Sequence, residues 1–159
     1  MSEFIEGPID GVMFRPLTLR SDHRGWLVEL YRSDELPEGL LPQMAYVSET
    51  LPGVVRGPHE HRAQSDCFAF IGPGDFRLYL WDARETSITF RRRQTVDVGA
   101  GNRQVILVPP GVVHAYKNVG SAPGWVFNAA NQLYAGVGRR EAVDEIRHEG
   151  LAKSPYIVD

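Results

Sequence analysis

The stretch Gly53-Val-Val-Arg56-Gly-Pro-His59-Glu60-His61-Arg-Ala-Gln-Ser-Asp66-Cys67 decides how the rest of the chain is read. It holds two histidines in an H-x-H pair, an arginine before them, a carboxylate after them and the chain's only cysteine at its end. Side chains alternate along a β-strand, so His59 and His61 project from one face, about 7 Å apart, with Glu60 on the other. Leu51-Pro52-Gly53 supplies a turn just ahead of this strand. Two imidazoles on one face are the beginning of a site, and the remaining chain must say which chemistry they serve.

Outward from this stretch the chain reads as short strands between Gly/Pro turns. On the N-terminal side, residues 12–20 and 26–31 read as a hairpin broken at 21–25, and residues 44–48 as a strand. Residues 36–42 read as loop, because proline removes a backbone donor and fixes φ. On the C-terminal side the strand readings are 67–71, 76–81, 87–95, 104–108, 112–118 and 124–131. Only residues 141–149 have helical spacing, with Ala142, Val143 and Ile146 on one side. This pattern predicts an all-β sandwich or barrel with a short C-terminal helix.

Composition narrows the function classes. A chain of 159 residues with 43% hydrophobic content supports one sizeable core and is short for two, so residues 1–159 are expected to form a single domain. A net charge of −3 and a pI near 5.9 leave no basic face for a nucleic-acid backbone and favour a small ligand. The single cysteine excludes an intrachain disulfide, and Met1-Ser-Glu-Phe-Ile-Glu-Gly-Pro lacks the charged start and apolar run of a leader. No apolar stretch reaches the roughly 18 residues of a membrane span. The expectation is a cytoplasmic protein without a membrane partner.

A second constellation is Pro109-Pro-Gly111-Val-Val-His114-Ala-Tyr116-Lys-Asn118. Strand parity puts His114 and Tyr116 on one face. Gly53, the His59-x-His61 pair and Asp66, with Gly72 or Gly74 downstream, resemble the first signature motif of the cupin superfamily, with Asp in place of Glu. Pro109, Gly111, His114 and Asn118 resemble the second, in the correct order. That resemblance implies a double-stranded β-helix, or jelly roll, with the site in its mouth.

A narrower resemblance runs from Asp22 to about Glu141. Asp22-x-Arg24-Gly25 with Glu29, Gly53-Val-Val-Arg56-Gly57-x-His59, Asp82-x-Arg84-x-x-Ser87-x-Thr89-Phe90 and Pro109-Pro-Gly-Val-Val-His114 resemble the dTDP-4-dehydrorhamnose 3,5-epimerase family. The resemblance implies a homodimeric isomerase of deoxysugar and polysaccharide biosynthesis, acting without a cofactor on a nucleotide-linked 4-keto-6-deoxy sugar. His59 would be the general base at a carbon α to the ketone, a task suited to an imidazole whose ordinary pKa is about 6.5. Arg24, Glu29 and Arg56 would hold the nucleotide, and His114 and Phe127 would line the sugar site.

Four features depart from the family, the first being that its nucleotide-reading Gln and Asn fall near Met44 and Tyr46 here. Asp66 stands near the family's enolate-stabilising lysine, Phe127 aligns with its proton-donating tyrosine, and the segment carrying the aspartate that pairs with the base is rewritten. Tyr116 is the first replacement candidate for the acid by parity with His114, and Tyr134 the second. Arg56-Gly57-Pro58-His59-Glu60-His61 also resembles the sugar 3,4-ketoisomerases. A metal-dependent cupin would use His59, His61, Asp66 and His114 to bind a divalent transition metal that stabilises an enolate. A non-catalytic sugar-binding cupin is the remaining alternative. Arg91-Arg92-Arg93 reads as a solvated strand edge, and Cys67 as a packing residue.

Overall fold

The computed structural model describes residues 4–159; residues 1–3, the start of the stretch read as lacking a leader, lie outside the described residues. In chain order the strands are β1 (Ile5–Glu6), β2 (Met13–Pro16), β3 (Arg20–Asp22), β4 (Gly25–Leu27), β5 (Met44–Thr50) and β6 (Val55–Glu60). They continue as β7 (Asp66–Phe70), β8 (Asp75–Asp82), β9 (Arg92–Gly99), β10 (Gln104–Val108), β11 (Val112–Asn118), β12 (Gly124–Ala130) and β13 (Ile146–Arg147). One sheet runs β1-β9-β8-β11-β6-β13 and a second runs β2-β10-β7-β12-β5, with β3 and β4 forming a separate hairpin. All pairings are antiparallel except β1 with β9. The two facing sheets make the jelly roll of the cupin fold.

Alternation along the strands builds the core and also aims the polar site. Phe68, Phe70, Phe76, Leu78, Leu80, Val98, Ile106, Val112, Tyr116 and Val126 pack between the sheets. On β7 the inward row Asp66, Phe68, Phe70 runs from a polar end into the apolar core, and on β11 it is Val112, His114, Tyr116, which sets His114 between two core residues. The outer faces are also covered. Leu17, Leu30, Leu36 and Leu40 pack over Cys67, Ala69, Val105, Leu107 and Ala129, while Phe4, Tyr156 and Val158 pack over Tyr79, Trp81, Val113 and Ala115. Burial on both faces explains why residues 104–108 read as a nearly continuous apolar run, with Ile106 and Val108 packed on one side and Val105 and Leu107 on the other.

Three local expectations change. The helix expected at 141–149 is absent: this segment is extended, and Ile146 and Arg147 pair with Glu60 and His59 as β13. Its periodic apolar residues lose to tertiary pairing, because Asp144, His148 and Glu149 all bond to the β6 region. A 3-10 turn at Val137–Arg139 is the only helical element among the described residues. The strand expected at 87–95 begins at Arg92, since Ser87 and Thr89 turn inward to Asp82. The hairpin expected over 12–31 shrinks to β3 and β4, while β2 joins β10 in the five-stranded sheet.

Asp82 is fully buried and accepts from Arg84 Nε at 2.7 Å, Ser87 Oγ at 2.6 Å and Thr89 Oγ1 at 2.6 Å. The Asp82-x-Arg84-x-x-Ser87-x-Thr89 motif therefore closes a turn. Burial opposes the charge, but Arg84, Ser87 and Thr89 outweigh it and hold Asp82 down at about 2. A depressed carboxylate pKa gives stability that is complete above the ordinary 3.8 and lost as pH falls through about 2. Asp82→Asn is expected to cost about 2 kcal/mol at neutral pH and to flatten the acid limb between those values, as read by denaturant unfolding against pH.

Candidate active site

Residues of β5, β6, β7 and β11 line a cavity of about 500 Å³ at the mouth of the jelly roll. His59 comes from β6, and His61 from the residue just past its end. Both line the cavity, as their parity requires, while Glu60 turns away and pairs with His148 at 3.0 Å. A register shift between β6 and β11 lets Arg56 line the same cavity three residues before His59. Gly57 lies at this irregularity with φ 87°, and a Cβ there would sit 2.5 Å from the His114 carbonyl oxygen. Only glycine fits so close an approach of β6 to β11.

Asp66 lies at the bottom, 1% exposed. Its Oδ1 accepts from Gln64 Nε2 at 2.9 Å and Asn128 Nδ2 at 2.8 Å. Its Oδ2 faces His61 Nε2 at 3.2 Å and His114 Nε2 at 3.3 Å, the second off the line of a hydrogen bond. The other ring nitrogens donate to backbone carbonyls, His61 Nδ1 to Asp144 and His114 Nδ1 to Val112 at 3.0 Å. Burial opposes the His61 charge, but Asp66 outweighs it and raises His61 to about 9. Burial likewise opposes the Asp66 charge, yet His114 and His61 hold that carboxyl far below the usual range.

His59 is the opposite case. Burial, with His114 next, pushes it down to about 2, so the ring is neutral. Its Nδ1 is buried without a hydrogen bond, and Glu149 Oε1 sits 3.9 Å away, itself accepting the Gly57 N–H at 3.1 Å. Burial weakens the ring as a base, and Glu149, on closing from 3.9 Å to hydrogen-bond distance when substrate binds, is the group that restores its basicity. Glu149 was hidden from the sequence by the helical reading of its segment.

Other expected residues divide. Tyr116 lines the cavity floor, 4% exposed, with its phenol 3.0 Å from Ser48 Oγ. Tyr134 lines the rim and is 55% exposed. Phe127 faces outward among Cys67, Ala69 and Ala129, so the inward neighbour at that point of β12 is Asn128. Arg24 is exposed on the β3–β4 hairpin, paired with Asp22 at 2.5 Å, and Glu29 lies within 4.0 Å of Arg32; neither lines the cavity. Arg56 bonds Thr50 Oγ1 at 2.9 Å and the Glu49 carbonyl at 2.6 Å. Sequence reasoning missed Gln64, Asn128, Asp144 and Glu149, and named Tyr46 only as the residue near the family's nucleotide-reading Asn.

Imidazole nitrogens of His59, His61 and His114 lie within 4.8 Å of one another, a donor set that fits a divalent transition metal. Asp66 touches two of these three rings.

Fold and site together define a cupin with a histidine-lined mouth. The dTDP-4-dehydrorhamnose 3,5-epimerase family model matches residues 6–138. A probable low-salt glycan biosynthesis epimerase, Agl13 of Haloferax volcanii, is 37% identical over 127 residues, covering 79% of this chain and 81% of the relative. The spore coat polysaccharide biosynthesis protein SpsL of Bacillus subtilis is 36% identical over 117 residues, 72% of this chain and 75% of its own. A dTDP sugar isomerase structure from Desulfovibrio desulfuricans superposes with TM-score 0.78 at 25% identity, covering 91% of this chain and 87% of that one. The chain belongs to the dTDP-4-dehydrorhamnose 3,5-epimerase family.

The segment over the mouth is held by Asp144, whose carboxylate accepts the backbone N–H groups of Arg62, Ala63 and Gln64, each at 2.8 Å. Asp144→Ala is expected to cost about 1–3 kcal/mol and to speed amide hydrogen exchange at residues 62–64, measured by NMR, while amides in β8 stay protected.

Proposed function

We propose that this chain is a nucleotide-sugar epimerase that inverts a carbon next to the ketone of a 4-keto-6-deoxy sugar, in deoxysugar or polysaccharide biosynthesis. The observation that carries the reading is the placement of His59, 3.9 Å from Glu149 Oε1, and His61, 3.2 Å from Asp66 Oδ2, in one cavity. His59 removes the α-proton, the C–H electrons enter the enolate, and Glu149 balances the imidazolium that forms. The negative charge on the enolate oxygen meets the positive charge that Asp66 maintains on His61, where the family resemblance places a lysine. Arg56 supplies a cation at the cavity wall for a phosphate oxygen.

The working unit is a single cupin domain over residues 1–159, and it acts as a homodimer. Trp26, 55% exposed, and Leu27, 63% exposed, on the β3–β4 hairpin leave apolar surface for a second copy, from which Arg24 and Glu29 reach the nucleotide. No helix among the described residues is long and apolar enough to cross a membrane. The buried, unpaired thiol of Cys67 suits a reducing cytoplasm.

A second reading follows from the convergence of three imidazoles. His59, His61 and His114, with Asp66, would hold a divalent transition metal, which supplies Lewis-acid stabilisation of an enolate.

Solvent deuterium entry into a dTDP-linked 4-keto-6-deoxyhexose distinguishes these readings. His59→Ala is expected to slow exchange by about 10²–10⁴-fold, and Glu149→Gln by less. Chelator-treated protein with undiminished exchange removes the metal reading; stoichiometric metal whose removal stops exchange favours it. Exchange that survives His59→Ala contradicts the base assignment.

A further inference from the structure

Inversion needs a second group that the site as described lacks: a proton donor on the enolate face opposite His59. His59 stands on β6 in the six-stranded sheet, so its counterpart belongs on the other wall. Three tyrosines line the cavity in addition to the histidines: Tyr116, Tyr134 and Tyr46. Tyr116 is on β11, the strand hydrogen-bonded to β6, and therefore on the same wall as the base. Its ring is packed by Phe68, Phe70 and Phe76, with centroids 5.7–5.9 Å away, and its hydroxyl already meets Ser48. Tyr134 sits on the rim beyond β12, where its phenol has no hydrogen-bond partner among the described residues.

Tyr46 differs on both counts. It is on β5, in the five-stranded sheet, directly across from Asn128 on β12. Met44 and Ser48, two residues to either side, also line the cavity, so the inward face of β5 is fixed by parity. The Asn128 amide is oriented without ambiguity. Its Oδ1 accepts the Cys67 N–H at 3.1 Å, so its Nδ2 is the group that meets Asp66 Oδ1 at 2.8 Å and the Tyr46 oxygen at 3.0 Å. The phenol oxygen is thus an acceptor in this bond, and the Tyr46 proton is left for another partner. Among the described residues, Asn128 is the only hydrogen-bond partner of that hydroxyl.

We propose that Tyr46 is the general acid, delivering a proton to the carbon from which His59 has taken one, on the opposite face. The assignment rests on the epimerase reading above. In the step, the enolate C=C electrons form the new C–H bond with the Tyr46 proton, the ketone re-forms, and a phenolate remains. Asn128 Nδ2 donates to that phenolate oxygen and stabilises it. The phenolate then recovers a proton from solvent, and His59 releases its own. The net result is one inverted centre carrying one solvent-derived hydrogen. Burial pushes the Tyr46 phenol up to about 12, which keeps it protonated at neutral pH, although the residue as a whole is 46% exposed.

The test follows a dTDP-linked 4-keto-6-deoxyhexose in deuterium oxide, with mass spectrometry reading deuterium entry and NMR reading configuration. In Tyr46→Phe, His59 still removes and returns a proton on its own face, so exchange stays within about threefold of wild type while inversion falls by about 10²-fold or more. Tyr116→Phe and Tyr134→Phe keep the wild-type ratio of inversion to exchange. That ratio is unmoved by a merely structural loss, which lowers both rates together. Inversion at the wild-type rate in Tyr46→Phe, or equal loss of exchange and inversion, overturns the assignment alone. Absence of exchange in the wild-type protein overturns the epimerase reading itself.

Discussion

A carboxylate buried to 1% exposure must be matched by charge and hydrogen bonds, and the mouth of this jelly roll is arranged to match Asp66. One oxygen accepts from two amide donors, and the other faces His61 Nε2 at 3.2 Å and His114 Nε2 at 3.3 Å. The consequences spread outward through the partners. Because Asp66 takes the Nε2 side of His61 and His114, their Nδ1 atoms turn to the Asp144 and Val112 carbonyls, and the ring orientations are set. Because Asp66 also takes one amide proton of Asn128, the other points at Tyr46. One buried charge thereby fixes a cationic imidazole on one wall and a phenol on the other.

His59 acquires its character by exclusion from this network. It is the one member of the three-imidazole cluster that Asp66 does not contact, and burial then leaves it neutral. The same residue type therefore takes two roles within a few ångströms, base and cation, according to which ring meets the carboxylate. The covering segment completes the division. Asp144 supplies the carbonyl that holds His61, and Glu149 supplies the carboxylate beside His59. Its pairing with β6 through Ile146 and Arg147 keeps both at the site.

The fold was legible because its signals are local: Gly/Pro turns, β-forming runs and an H-x-H pair whose parity needs no tertiary information. His59, His61, Asp66 and His114 were legible for the same reason, and they meet in space. What failed depended on contacts distant in sequence. The apolar spacing of Ala142, Val143 and Ile146 resembles a helix until β6 offers an edge to pair with, and Glu149 is invisible as a site residue while that helix stands. Phe127 was misplaced by a single position, which in a strand exchanges the two faces and puts Asn128 at the site instead. The Asp82 motif carried a family likeness whose physical content is a buried turn. Tyr46 stood in the sequence only as the residue near the family's nucleotide-reading Asn, and its hydrogen bond to Asn128 is what points to a chemical role.

The central claim is that one neutral and one cationic imidazole coexist in the cavity, sorted by Asp66. Ring nitrogen-15 NMR of the metal-free protein from pH 5 to pH 8 tests it most directly. The account predicts that His59 carries one ring proton and His61 two across that range. A His59 that titrates near its ordinary 6.5, together with a His61 that is neutral at pH 7, would contradict it.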